Sequence, residues 1–230
     1  PDLLELQRKN GWGPFGCEAQ TIFSNKAMEV PKGLKVSVVN SDLKCTFDEP
    51  VGTALNHDIF LLIWRKVLAE KTWKEHRWTV KVDPDTVFIP ARLVAVLPHH
   101  YKGDEGIYLN NCVAGLKGPL EAFSRGAVKR LSSGLQTCEA KLAKECNEKT
   151  CHWSEAYYVD QCLGRILRVR RDNNWALLSE EHCPADPEHE GSWKSCEDGH
   201  AAYHPFRTVD GYKRCIANMA ASEAEVPATG

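Results

Sequence analysis

A chain of 230 residues can bury one substantial core with at most a small subdomain. With 43% hydrophobic and 26% charged residues, its composition is that of a globular protein and excludes a disordered one. The formal net charge of -2 excludes a global basic field that would recruit nucleic acid, and the longest apolar run, Ile59 to Trp64, is far too short to span a bilayer. No signal peptide or anchor is visible, so membrane association would come only through an anchor outside this chain.

In chain order, Leu3 to Gln7 reads as the end of a helix. Cys17 to Phe23 and residues 35–39 read as short strands, with Ser24-Asn25 as a loop. Asn56 or Asp58 can start a helix in which Ile59, Ile63, Lys66 and Val67 recur at helical spacing. Its nearly unbroken apolar stretch, Ile59 to Leu68, predicts packing on more than one side. Arg77 to Val82 is a strand rich in β-branched residues that stops at Asp83-Pro84, because proline has no N–H for the ladder. Tyr108-Leu109 starts another apolar segment.

Gly118-Pro119 then opens a predicted helix, with proline at its first position and Leu120, Phe123, Ala127 and Leu131 as its buried face. Residues 136–148 form a charged helix with Cys138, Leu142 and Cys146 on one side. Arg165 to Arg171 is a solvated, cationic helix end. Ser154 is the N-cap of a further helix whose Tyr158, Cys162 and Ile166 share a face. From Ser179 the chain reads as loop-rich, and residues 220–230 as a flexible tail. Strands alternating with helices through residue 170 predict an α/β fold.

Ten cysteines, at 17, 45, 112, 138, 146, 151, 162, 183, 196 and 215, are dispersed rather than gathered into Cys-x-x-Cys pairs. That dispersal points to disulfides made in an oxidising compartment, and the even number permits complete pairing. Cys183, Cys196, His200 and His204 also form a nominal four-ligand zinc set, although its wide first gap does not match a zinc knuckle. His99-His100 reads as a surface pair beside Pro98. Trp73, Trp78, Trp153, Trp175 and Trp193 are candidates for stacking on sugars, but scattered tryptophans more often pack in cores.

The strongest local feature is Asp83-Pro84-Asp85. Two carboxylates at the end of a strand offer hard oxygen ligands to Mn²⁺ or Mg²⁺. Ligands at the C-terminal ends of strands are the expected placement in open α/β sheets.

Five segments resemble one group of proteins: WTVKVDPDTVF at 78–88, GIYLNNC at 106–112, GPLEAFSRGAV at 118–128, SEAYYVDQCLG at 154–164 and GHAAYHPF at 199–206. In this order, from about Cys17 to Cys215, they resemble GT-A glycosyltransferases of the fringe and core-1 β-galactosyltransferase-like families and their algal and protist relatives. The resemblance implies a Rossmann-like mixed sheet flanked by helices, as one domain over residues 1–219 with a loop-rich, disulfide-stapled C-terminal part. It implies a UDP-sugar or similar nucleotide-sugar donor, a protein or glycan acceptor, and the Golgi lumen or another secretory compartment. It assigns Asp83 and Asp85 to the metal and ribose, His204 to completing the metal shell, and Asn110-Asn111 to a donor- or acceptor-side loop. A structural histidine before proline is the equal alternative for His204.

Two departures stand out. Relatives carry Glu-Asp at the start of the helix matching 155–163, the Asp serving as catalytic base; here the pair is Glu155-Ala156. Glu155 or Asp160 are the substitutes in reach, but five positions apart on a helix they do not share a face closely. The sequence also starts about where the first sheet strand of the relatives ends, which reads as truncation or absence of that strand. Two functions follow: a metal-dependent glycosyltransferase moving a hexose, or a catalytically silent protein of that fold serving a larger assembly as a binding or structural subunit.

Overall fold

The computed structural model describes residues 2–28, 34–48, 52–100, 105–145, 153–183 and 192–225. The first half carries α1 (Asp2–Asn10), β1 (Thr21–Ser24), β2 (Lys35–Val38), β3 (Thr46–Phe47), β4 (Ala54–Leu55) and α2 (His57–Glu70). Then come β5 (Trp78–Val82), β6 (Val87–Phe88), α3 (Pro90–His100), β7 (Ile107–Asn110), β8 (Leu120–Ser124) and α4 (Arg125–Glu145). The chain closes with α5 (Glu155–Asp160), β9 (Arg170–Asn173), β10 (Leu178–Glu180), α6 (Ser192–Ser195), β11 (Ala202–His204) and α7 (Val209–Glu225). The fold is mixed α/β.

A four-stranded sheet in the order β5-β8-β7-β9 forms the centre. β8 runs antiparallel to both neighbours, and β9 pairs parallel with β7. Alternation along β5, β8 and β7 splits their side chains between two cores. Ile107, Leu109, Leu120 and Ala122, with Trp78, Val80 and Val82, pack toward α3 and a second sheet of order β10-β11-β6. Tyr108 and Phe123 point the other way, into a core shared with α2, α4 and α5, where Trp64 meets Phe123 edge-on at 5.2 Å. A third core joins α1 and α7 around Tyr203, Tyr212 and the Cys196–Cys215 disulfide. β1 and β2 make a separate parallel pair and β3 and β4 an antiparallel one.

Residues 120–124 are a strand, not the first turns of a helix. Leu120, Ala122 and Phe123 fit either period over so short a run, and pairing with β5 and β7 decides for the strand. As an inner strand covered on both faces, β8 is buried along its whole length, Glu121 and Ser124 included. Pro119 is therefore not a first helical residue. The helix begins after Ser124, whose Oγ accepts the Ala127 N–H at 3.3 Å, and continues unbroken to Glu145. It absorbs the predicted charged helix, with Cys138 and Leu142 buried as expected; Cys146 lies outside the described residues.

Ser154 does occupy the residue before α5, but its side chain makes no capping bond. Asn56 Oδ1 accepts the Glu155 N–H at 2.9 Å instead. Beyond α5 the backbone widens into a π-helical stretch over Gln161–Ile166. The region after Ser179 holds β11 and α7, and α7 extends through Glu225, into the span read as a tail. No described helix is long and apolar enough to cross a membrane.

Three disulfides are present among the described residues: Cys112–Cys183, Cys138–Cys162 and Cys196–Cys215. They are compatible with a secreted protein or an oxidising compartment. Cys17 and Cys45 carry free thiols, so pairing is not complete, and Cys146 and Cys151 lie outside the described residues. Cys112–Cys183 closes the longest loop, 71 residues, and ties the end of β7 to the segment after β10. Chain-entropy arithmetic gives such a crosslink about 4 kcal/mol. The double variant Cys112→Ala/Cys183→Ala should lose stability of that order in non-reducing urea denaturation, and a loss below about 1 kcal/mol would show that the crosslink does not constrain the unfolded chain.

Candidate functional site

Three separate parts of the chain hold the Asp83-Pro84-Asp85 turn. β5 ends at Val82, and the Asp83 N–H then turns aside to the Pro119 carbonyl at 3.1 Å, where the Thr86 hydroxyl also donates at 3.2 Å. Gln7, 1% exposed on α1, donates through Nε2 to the Pro84 carbonyl at 2.8 Å. On the far side the Asp85 carbonyl accepts the Phe206 N–H at 2.8 Å. Antiparallel pairing of β6 with β11 then brings the end of β11 alongside the turn.

The outcome is a cluster of Asp83, Asp85 and His204, whose ligand atoms all lie within 4.8 Å of one another. Two carboxylates and an imidazole suit Mn²⁺ or a similar divalent ion. Donors sharing one ion at about 2.1 Å are at most about 4.2 Å apart, so the set needs to close by no more than about 0.6 Å. These residues fit a metal.

Each anion in the cluster faces a cation of the protein. Lys81 Nζ lies 2.7 Å from Asp83 Oδ1. His204 Nε2 lies 3.5 Å from Asp85 Oδ1, and Arg207 Nε lies 3.7 Å from Asp85 Oδ2. His204 Nδ1 faces Glu180 Oε2 at 3.7 Å, while Lys117 Nζ stands 3.8 Å from Glu180 Oε1. Burial alone would depress the His204 imidazole, but Asp85 and Glu180 outweigh it and raise the group to about 9. Burial would likewise raise the Asp85 and Glu180 carboxyls; the facing His204 imidazole leads the attractions that turn both shifts downward. A carboxylate behind one imidazole nitrogen, with the other nitrogen facing the ligand set, is how metal-binding histidines are commonly oriented.

The turn opens onto a cleft of about 1820 Å³ beside the outer edge of β5, lined by Asp83, Asp85 and Arg207 at one end and by Phe60, Trp73 and Trp78 further along. Glu155 and Asp160 do not line it. Glu155 is 3% exposed, accepts from the Trp64 indole at 3.4 Å and faces Lys81. Asp160 accepts the Tyr108 hydroxyl at 2.8 Å and pairs with Arg171 at 3.5 Å. Neither is placed to act as a base toward a ligand in the cleft, and Ala156 is buried between them in sequence.

Asn110 and Asn111 are not cleft residues either. Both are buried, the first donating to the Cys112 carbonyl and Asn173, the second clamping the 112–117 loop through Lys117 and Leu120. Their amides shape the chain after β7 rather than await a ligand. The zinc set is excluded because Cys183 and Cys196 belong to two different disulfides. His100, read as surface, is half-buried between Asp172 at 3.2 Å and Asn174 at 3.0 Å. Of the tryptophans, Trp73 is core, Trp153 and Trp193 pack on neighbouring rings, Trp175 is exposed, and Trp78 and Trp73 reach the cleft.

Three site residues escaped the sequence reading: Lys81, Glu180 and Arg207. Lys81 carried a usable signal, since two positions before Asp83 on a strand places it on the same face. Glu180 meets His204 through the parallel register of β10 and β11, a pairing that linear order does not reveal.

The sign of the His204 contribution to stability follows from its raised value. Protonated in the fold up to about 9, against an ordinary 6.5, it adds stability that is fully present below 6.5 and is lost as pH rises through 9. His204→Gln should therefore flatten the fall in melting temperature between pH 6.5 and 9.5. Parallel pH curves for variant and parent would remove the proton from this site. No protein-family profile and no curated protein sequence matches this chain.

Proposed function

We propose that this chain binds a nucleotide-sugar through a divalent cation held by Asp83, Asp85 and His204, on a fold related to the GT-A glycosyltransferases of fringe and core-1 type. The observation that carries the reading is the convergence of those three residues, from the end of β5 and the end of β11, with Asp83 and Asp85 lining the cleft. When bound, such an ion supplies charge neutralisation for diphosphate oxygens. Arg207, three-quarters exposed beside Asp85, adds a mobile cation at the same end for phosphate. Trp78 offers an aromatic face further along.

Within that reading, the catalytically silent subunit is supported better than the active hexosyltransferase. Proton removal from an acceptor hydroxyl needs a positioned base, and the two carboxylates named for that role, Glu155 and Asp160, are both engaged elsewhere. The transferase reading keeps the intact metal set in its favour. The disulfides support an oxidising compartment such as the secretory pathway; the Golgi lumen follows only from the family resemblance.

Calorimetric titration of UDP with and without Mn²⁺, beside a donor-hydrolysis and transfer screen, tests this. Mn²⁺-dependent UDP binding without turnover is expected. Asp85→Ala should weaken that binding by about 10-fold or more, the usual scale for losing a metal-site residue, with the fold retained in thermal melts. Affinity for UDP–Mn²⁺ left unchanged by Asp85→Ala would remove the residue from the site, and sugar transfer would establish the transferase instead.

A further inference from the structure

Beneath the cation site lies a buried polar group that metal chemistry at Asp83, Asp85 and His204 does not itself require. Pairing of β5 with β8 sets Lys81 directly opposite Glu121. Glu155 enters the same layer from the first residue of α5. Glu121 is fully buried and Glu155 is 3% exposed, in a position where an uncompensated charge is strongly disfavoured. Lys81 offsets them: its Nζ lies 3.4 Å from Glu155 Oε2 and donates to the Gly118 carbonyl at 2.6 Å. Burial and the neighbouring charge of Glu155 push the Glu121 carboxyl well above the usual range, against the pull of Lys81. Glu121, shifted toward its protonated form, thus packs beside the contact of Lys81 with Glu155.

There is little room for the ammonium to move. A Cβ added at Gly118 would stand 3.3 Å from Lys81 Nζ and 3.5 Å from Glu155 Oε2. The Phe60 ring lies 4.5 Å from Nζ on another side. From this fixed place the ammonium reaches Oδ1 of Asp83 at 2.7 Å.

We propose that Lys81 is the positioning residue of the cation site: it holds Oδ1 of Asp83 so that the second carboxylate oxygen serves the ion, while Glu155 anchors the ammonium from behind. This rests on the reading of Asp83 as a cation ligand. Carboxylates that bind metals are regularly fixed by a hydrogen bond to the oxygen not engaged with the ion. A lysine beside a metal site also repels the ion. Here Asp83 and Glu155 flank that positive charge, so the holding contact outweighs the repulsion. Glu155 thereby acquires a role at the site other than that of a base.

The test is Mn²⁺ binding to the full chain, followed by calorimetry and by the electron paramagnetic resonance spectrum of the bound ion, with thermal melts as the check of folding. Lys81→Met should weaken Mn²⁺ binding by about 10- to 100-fold and alter the spectrum of the ion that still binds. Glu155→Gln should weaken it by a smaller factor. Where Lys81→Met leaves Glu155 uncompensated and does not fold, the double variant Lys81→Met/Glu155→Gln removes both charges and carries the same expectation. A folded variant without Lys81 that binds Mn²⁺ as tightly as the parent, or more tightly, overturns the positioning role and leaves the proposed function standing. A parent protein that binds no Mn²⁺ overturns both.

Discussion

Five residue pairs join β5 to β8, from Trp78 opposite Ser124 to Val82 opposite Leu120. The side chains on that ladder divide between two cores. On one face Trp78, Val80, Val82, Leu120 and Ala122 close over α3 and the second sheet; on the other, Phe123 packs under α2 and α4. Lys81 and Glu121 share this second face, next to Glu155. Shifting the register by one residue would exchange the faces and send the ammonium into an apolar layer. The ladder also ends at Pro119, whose carbonyl takes the Asp83 N–H. Register, buried charge and the direction of the first carboxylate thus have one origin.

The charges around the turn are nearly balanced by the protein itself. Asp83, Asp85 and Glu180 face Lys81, His204, Arg207 and Lys117. Such a cluster is stable without an added ion, which separates folding from ligand binding. A divalent cation at the proposed site would have to displace the proton from His204 and the contact of Arg207 with Asp85. Arg207 is three-quarters exposed, whereas Lys81 is largely enclosed. The two cations nearest the carboxylates are therefore not equivalent: under the proposed function Arg207 would yield to the ion and Lys81 would remain behind it.

Asp83 and Asp85 are legible in the sequence, because proline marks where a strand must end and a carboxylate pair beside it is conspicuous; His204 comes only with the family resemblance, and the fold brings it within reach of both. The sequence reading also placed α2, β5 and the buried face of α5, where long or strongly patterned runs leave little choice. It misassigned residues 120–124, since five residues do not distinguish a buried strand from a helix turn and sheet pairing decides the matter. It offered Glu155 as a base because chain order gives type and helix position but not whether Lys81 lies across the gap. Asn110 and Asn111 failed for the same reason: a buried amide that shapes a loop is indistinguishable in sequence from one that awaits a ligand. The disulfide partners were equally illegible, since a sequence separation of 71 between Cys112 and Cys183 carries no information about their meeting in space.

Gln7 couples the turn to a distant part of the fold. Its amide reaches the Pro84 carbonyl from a nine-residue helix 77 positions away. Leu3 and Leu6 of that helix pack against the core that holds Tyr212 and Met219 of α7. A substitution in that core can therefore shift the turn between the two carboxylates without touching either of them, through the Gln7 amide.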